Sequence, residues 1–144
     1  MATVRDLLKA KGSFMWTTNP EASVYQALEL MAEKNVGALL VLESQKLVGI
    51  FSERDYARKV VLKGKFSRET KVEEVMTHDL VTVTPDQGVE RCMELMTDKR
   101  IRHLPVLESG QLIGLISIGD VVKSIISDQK YHINQLEDYI TGRS

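Results

Sequence analysis

Apolar positions recur along the chain in two rhythms. Val24, Leu28 and Met31 stand three or four residues apart, as do Val89, Met93 and Met96, the spacing of one helix face. Each of these segments follows a proline, Pro20 or Pro85, and Ser23 and Asp86 are candidate caps near their starts. Short apolar runs follow at 38–42 and 47–51, and again at 104–107 and 112–116. Runs this short and this apolar suit strands buried on both faces. The polar gaps between them, 43–46 and 108–111, have hairpin length. A second helix begins at Ser52 in the first half, predicted to end near Gly64, and at Ser117 in the second. From Ser117 the apolar spacing continues through Val122, Ile125, Ile126, Ile133, Leu136 and Ile140 to Gly142. It predicts a long terminal helix with a candidate break near Asp128 and more apolar face than a monomer needs. Thr-rich segments at 16–18 and 81–84 each offer a further short strand.

The two halves are copies. Shifting the chain by 65 residues lays 16–61 on 81–126 without a gap, with 16 identities in 46 positions. The identities include Pro20/Pro85, Glu29-Leu-Met31 with Glu94-Leu-Met96, and Val41-Leu-Glu-Ser44 with Val106-Leu-Glu-Ser109. Gly49/Gly114, Ser52/Ser117 and Asp55/Asp120 are also shared. A unit this short cannot close a core alone, so two β-α-β-β-α copies are expected to pack on each other.

Composition narrows the class. With 144 residues, 43% hydrophobic and 27% charged, the chain has an ordinary globular mixture. Nineteen basic and 20 acidic residues leave a net charge of -1, which gives no support for nucleic-acid binding through overall charge. The lone cysteine, Cys92, excludes an intrachain disulfide framework and a cysteine-based zinc site. It aligns with Ala27 on an apolar helix face and reads as a buried, inert thiol. His78, His103 and His132 lack metal-ligand spacing, so no metal is expected. The apolar runs fall far short of the roughly 20 residues that cross a bilayer. Residues 1–11 carry Arg5, Asp6, Lys9 and Lys11 and no apolar signal core. A cytoplasmic protein with no membrane partner is expected. There is no Walker A sequence, no Rossmann glycine fingerprint and no Gly-x-Ser-x-Gly elbow, so no catalytic residue is assigned and an enzyme is not expected.

Two segments carry a family resemblance: Leu47-Val-Gly-Ile-Phe-Ser-Glu-Arg-Asp55 and Leu112-Ile-Gly-Leu-Ile-Ser-Ile-Gly-Asp120. Each reads as a strand with a glycine, then Ser-x-x-Asp opening a helix. With Arg102-His-Leu-Pro-Val106 and Val72-Glu-Glu-Val-Met76, they resemble the CBS domain, and the pair resembles the tandem CBS, or Bateman, module. The chain divides accordingly into repeat 1 at 3–64, a linker at 65–71, repeat 2 at 72–127 and a helical extension at 128–144. The resemblance implies an α/β (α+β) fold in which two repeats pack by pseudo-two-fold symmetry, with the long C-terminal helix appended.

It also implies a regulatory module that binds an adenine nucleotide (AMP, ADP, ATP or NAD) as a regulatory ligand, not as a catalytic cofactor. In the family each cleft is shared: strand-start backbone of one repeat holds adenine, and Ser/Thr-x-x-Asp of the other holds ribose and phosphate. Carried over, the first cleft joins Val81, Thr82, Ile101, Arg102 and His103 to Ile50, Ser52, Arg54 and Asp55, with Arg58 one helical turn beyond Arg54. The second joins Trp16, Thr17, Val36, Gly37 and Ala38 to Ile116, Ser117 and Asp120.

The residue chemistry suits these roles. A carboxylate accepts from both hydroxyls of a vicinal diol, and a helix start offers unpaired N–H groups to phosphate. Arg54, Arg58, Arg102 and His103 make the Asp55 cleft the better host for a highly charged ligand. The Asp120 cleft, with Ile118 and Gly119 in the matching places, then takes a monophosphate, a nucleoside or nothing. Gly49 and Gly114 leave room for a ligand or for backbone. The same Ser-x-x-Asp also reads as a capping box, and Trp16 can stack on adenine or simply pack. A homodimer through the helices and a regulated protein partner are expected. The alternative is a CBS-fold interaction module that binds no nucleotide.

Overall fold

In the computed structural model, residues 2–12 and 14–141 are described. They form two compact units. One is Phe14–Val81; the other joins the described residues of 1–13 to those of 82–144.

In the unit of residues 14–81, β1 (Thr17–Thr18), α2 (Val24–Lys34), β2 (Ala38–Glu43) and β3 (Lys46–Ser52) follow one another; α1 (Val4–Lys11) precedes them in sequence but belongs to the other unit. The sheet order is β1-β2-β3, with β1 parallel to β2 and β2–β3 an antiparallel hairpin. Ser23 caps α2 as expected, accepting from the Gln26 N–H while Gln26 returns a bond to the Ser23 N–H. This reciprocal pairing satisfies two of the donors a helix start leaves open. The helix predicted from Ser52 to Gly64 is shorter and of mixed type. Three α-helical residues, α3 (Glu53–Asp55), pass into a π-helical turn at Tyr56–Val61. The wider turn brings Lys59 back beside Asp55 and sets Val60 in the core. A short helix, α4 (Val72–Val75), then covers the sheet. The core gathers Val24, Ala27, Met31, Leu39, Val41, Phe51, Val60, Val72 and Val75.

The other unit repeats the plan with α5 (Val89–Lys99), β4 (His103–Glu108), β5 (Gln111–Ser117) and α6 (Ile118–Thr141). Its core holds Val89, Cys92, Met96, Leu104, Val106, Ile116 and Val121, so Cys92 is the buried thiol expected, and burial pushes its pKa up. Three expectations are corrected here. Asp86 is no cap: α5 begins after Gly88, the counterpart of Ser23, with no side-chain bond, and Asp86 pairs with Arg5 at 3.1 Å. The helix α6 runs unbroken past Asp128, 24 residues in all, about 36 Å at the α-helical rise. Its expected end at Gly142 lies outside the described residues. Finally, the second Thr-rich segment adds only a single bridge, Val83 to Val106. In the first unit the Leu40 N–H donates to the Trp16 carbonyl. Its counterpart is Pro105, which has no N–H to donate.

Each sheet is covered by the lead-in helix of the other copy. The Val72 and Glu73 N–H groups donate to the carbonyls of Ala22 and Pro20, and α4 packs on β3. The Val4 and Arg5 N–H groups donate to the carbonyls of Gln87 and Pro85, and α1 packs on β5 and α6. These are the same bonds at equivalent positions. They explain the shared glycines. A Cβ on Gly49 would stand 2.6 Å from Met76 Sδ and 3.0 Å from the Thr77 carbonyl, and one on Gly114 would stand 2.6 Å from Leu8 Cδ2. The space left open at both glycines is therefore filled by the chain itself.

Candidate functional site

Both Ser-x-x-Asp sequences stand where a strand hands over to a helix, and both form the capping box. Ser52 N–H donates to Asp55 Oδ2 at 3.0 Å and Asp55 N–H to Ser52 Oγ at 3.2 Å. Ser117 N–H donates to Asp120 Oδ2 at 2.8 Å and Asp120 N–H to Ser117 Oγ at 3.2 Å. The backbone explains the recurrence. Each serine ends an antiparallel strand and opens a helix, and the two side chains pair the serine's own N–H and that of the aspartate three residues on.

The two carboxylates differ in their remaining partners. Asp55 is buried; its Oδ1 accepts from Thr77 Oγ1 at 2.9 Å and meets Lys59 Nζ at 3.0 Å. Asp120 is only half-buried and meets Lys11 Nζ at 2.7 Å, while the same ammonium donates to the Leu115 carbonyl at 2.8 Å. Burial alone would raise the Asp120 pKa. The hydrogen bonds from Lys11 and Ser117 outweigh it and hold the group below its ordinary value. His103 is shifted down as well, by burial first and by the charges of Lys11 and Arg102, against an upward pull from Asp120. It is neutral at pH 7.

The strand starts lie beside these helix entrances within each unit. Ala38 pairs with Ser52, and the Glu53 N–H donates to the Gly37 carbonyl at 3.1 Å. His103 pairs with Ser117, and the Ile118 N–H donates to the Arg102 carbonyl at 2.8 Å. So Val36, Gly37 and Ala38 gather near Ser52 and Asp55, and Ile101, Arg102 and His103 near Ser117 and Asp120. In the first unit a cleft of about 420 Å³ opens at this place, lined by Leu28, Met31, Ala32, Asn35, Val36, Gly37 and Glu53. Ile50, Trp16, Thr17, Arg54, Arg58 and Val81 belong to that same unit, whereas Thr82 and Ile116 belong to the other. Trp16 packs against the core and carries Lys34 Nζ 4.4 Å above its ring. Arg58 is exposed.

Lys11, Lys59 and Thr77 were not among the residues expected at the site. Lys59 was within reach, since it stands four residues after Asp55 at helical spacing. Lys11 and Thr77 lie in the lead-in segments, which match at an offset of 68 residues, Val4 on Val72, and so escape a 65-residue shift.

The CBS domain family profile matches this chain twice, over residues 4–62 and 72–127. The chain belongs to the CBS domain family. A CBS domain-containing protein of Arabidopsis thaliana, CBSX3, whose name places it in mitochondria, is 44% identical over 97% of this chain and 72% of its own. Among solved structures, a protein with CBS domains from Burkholderia ambifaria is 53% identical, with a TM-score of 0.86 over 89% of this chain and 96% of that one. The CBS domain pair of protein MJ0100, solved with 5′-methylthioadenosine and S-adenosyl-L-methionine, shares the fold at 23% identity, with a TM-score of 0.79 over 89% of this chain and 98% of that one. The mixed α/β fold with its long terminal helix is thus that of a CBS pair. Among the described residues, no helix is long and apolar enough to cross a membrane, and no cluster of His, Cys, Asp and Glu could hold a metal ion.

Proposed function

We propose that this CBS pair is a regulatory module that binds an adenine nucleotide and alters its conformation or its affinity for a protein partner, without catalysis. The observation that carries the reading is the duplicated helix entrance: a Ser-x-x-Asp carboxylate beside a strand-start carbonyl, in both units. A vicinal diol needs such an acceptor, and an adenine edge is read by backbone donors and acceptors of the kind a strand start offers. The adenosyl ligands of the MJ0100 pair support the ligand class. AMP, ADP, ATP and NAD are the candidates for this chain, bound in clefts shared as the family pattern implies. The module works as a homodimer in the cytoplasm, although the plant relative is named for mitochondria. A ligand drives such a module only through unequal affinity for two conformations.

One observation favours a second reading, a CBS-fold docking module that binds no nucleotide. Both carboxylates already have partners, and Asp55 is closed off by Lys59 and Thr77. Ribose therefore has to displace a lysine at either site. Thermal unfolding with AMP, ADP, ATP, NAD and S-adenosylmethionine separates the two. A ligand at a hundred times its Kd adds about 2.7 kcal/mol to the native state, a shift of several degrees in Tm. The expected result is such a shift with at least one adenine nucleotide, abolished in Asp120→Ala, because the half-open Asp120 is easier to reach than the buried Asp55; this reverses the order that the arginines of the Asp55 cleft predict from sequence. No shift with any of the five would replace the sensor reading by the docking one.

A further inference from the structure

We propose that α6 forms a parallel, in-register, two-stranded coiled coil with the α6 of a second copy of this chain. The proposal rests on the homodimer reading above and is independent of nucleotide binding. Val122, Ile126, Gln129, Ile133, Leu136 and Ile140 follow one another at spacings of 4, 3, 4, 3 and 4. This is a heptad seam, with Ile126, Ile133 and Ile140 at a and Val122, Gln129 and Leu136 at d. From Ile126 onward every described residue of the helix is exposed except Asp138, which is half-buried. Ile126, Ile133, Leu136 and Ile140 are 49–79% exposed. In proteins most helical stability comes from packing of an apolar face, so a covered seam would hold this exposed stretch helical.

The seam itself names its occupant. Isoleucine at all three a positions, with β-branched Val122 and Leu136 at d, is nearer the two-stranded pattern of β-branched a and leucine d than any other seam in the chain. The flanks mix Lys123, Lys130, Asp128, Glu137 and Asp138, unlike the basic face that lies on a membrane. Gln129 sets the direction. Parallel in-register helices place it against the partner's Gln129, where two amides can bond each other, whereas antiparallel helices press each amide onto Ile133 of the partner subunit.

Cross-linking in the full chain tests this. Cys92, which is buried, is first replaced by the alanine found at the equivalent Ala27, and Leu136→Cys is added. On oxidation this variant should form a disulfide-linked dimer by itself. Should a dimer appear only when Ile126→Cys and Leu136→Cys chains are mixed, the helices are antiparallel and the proposal fails. Without cross-linking in either case, a dimeric mass by light scattering overturns the coiled coil but leaves the homodimer reading standing, and a monomeric mass overturns both. Ile133→Glu, on an exposed position that cannot unfold the units, should weaken dimerisation by about a hundredfold; an unchanged dimer would also overturn the proposal.

Discussion

The unit of residues 14–81 and the unit of residues 82 onward with α1 share one plan but hold their carboxylates differently. Asp55 is sealed by a hydroxyl and a lysine of its own unit's helical turn, Thr77 and Lys59. Asp120 is half-open and leans on Lys11, borrowed from the chain's beginning. The duplicated motif is thus held in two ways: one copy closes its carboxylate into the fold, the other leaves it half-exposed.

Removing each carboxylate tests that difference most strongly. Asp55→Ala strands Thr77 Oγ1 and the Ser52 amide and should cost about 2–3 kcal/mol. Asp120→Ala should cost only about 1 kcal/mol, since its ion pair is partly solvated. Urea unfolding followed by the fluorescence of Trp16, the single tryptophan, reports the first unit, and circular dichroism reports both. Equal costs would erase the distinction. The glycine pair sharpens it at smaller scale. Gly49→Ala drives a methyl against the Thr77 carbonyl, held by two backbone bonds with Ile50, and should cost about 2–3 kcal/mol. Gly114→Ala meets only the far end of Leu8, which can rotate, and about 1 kcal/mol is expected. The reverse order in urea midpoints would show that α1 is the firmer cover. The smallest effect is a gain. Both hairpins turn through two residues of positive φ, Ser44-Gln45 in one and Ser109-Gly110 in the other. Gln45→Gly should stabilise the first unit by about 1 kcal/mol, bringing its turn level with its twin.

Much of this architecture was legible in the sequence because the repeat doubles every signal. The hairpins, the helix starting at Ser23 and the Ser-x-x-Asp junctions each appear twice, and the structure has both copies of each. What escaped depends on single residues or on distant ones. Pro105 removes one amide and with it a strand, an effect invisible to apolar periodicity. Asp86 looked like a cap because its chemistry suits one, but the cap position is Gly88, two residues later, and the helix starts at Val89. Lys11 reaches Asp120 across 109 positions of chain, which no local pattern encodes. The glycines signalled a close approach, yet only the fold could say that the visitor is Met76 or Leu8.

The exchanged lead-in helices have one more consequence. A protease that nicked the exposed stretch around Phe66 would not free two independent halves. Each fragment would retain the helix that the other's sheet requires, so the pieces would stay mutually dependent, as in a split protein whose parts regain their shape only on reunion.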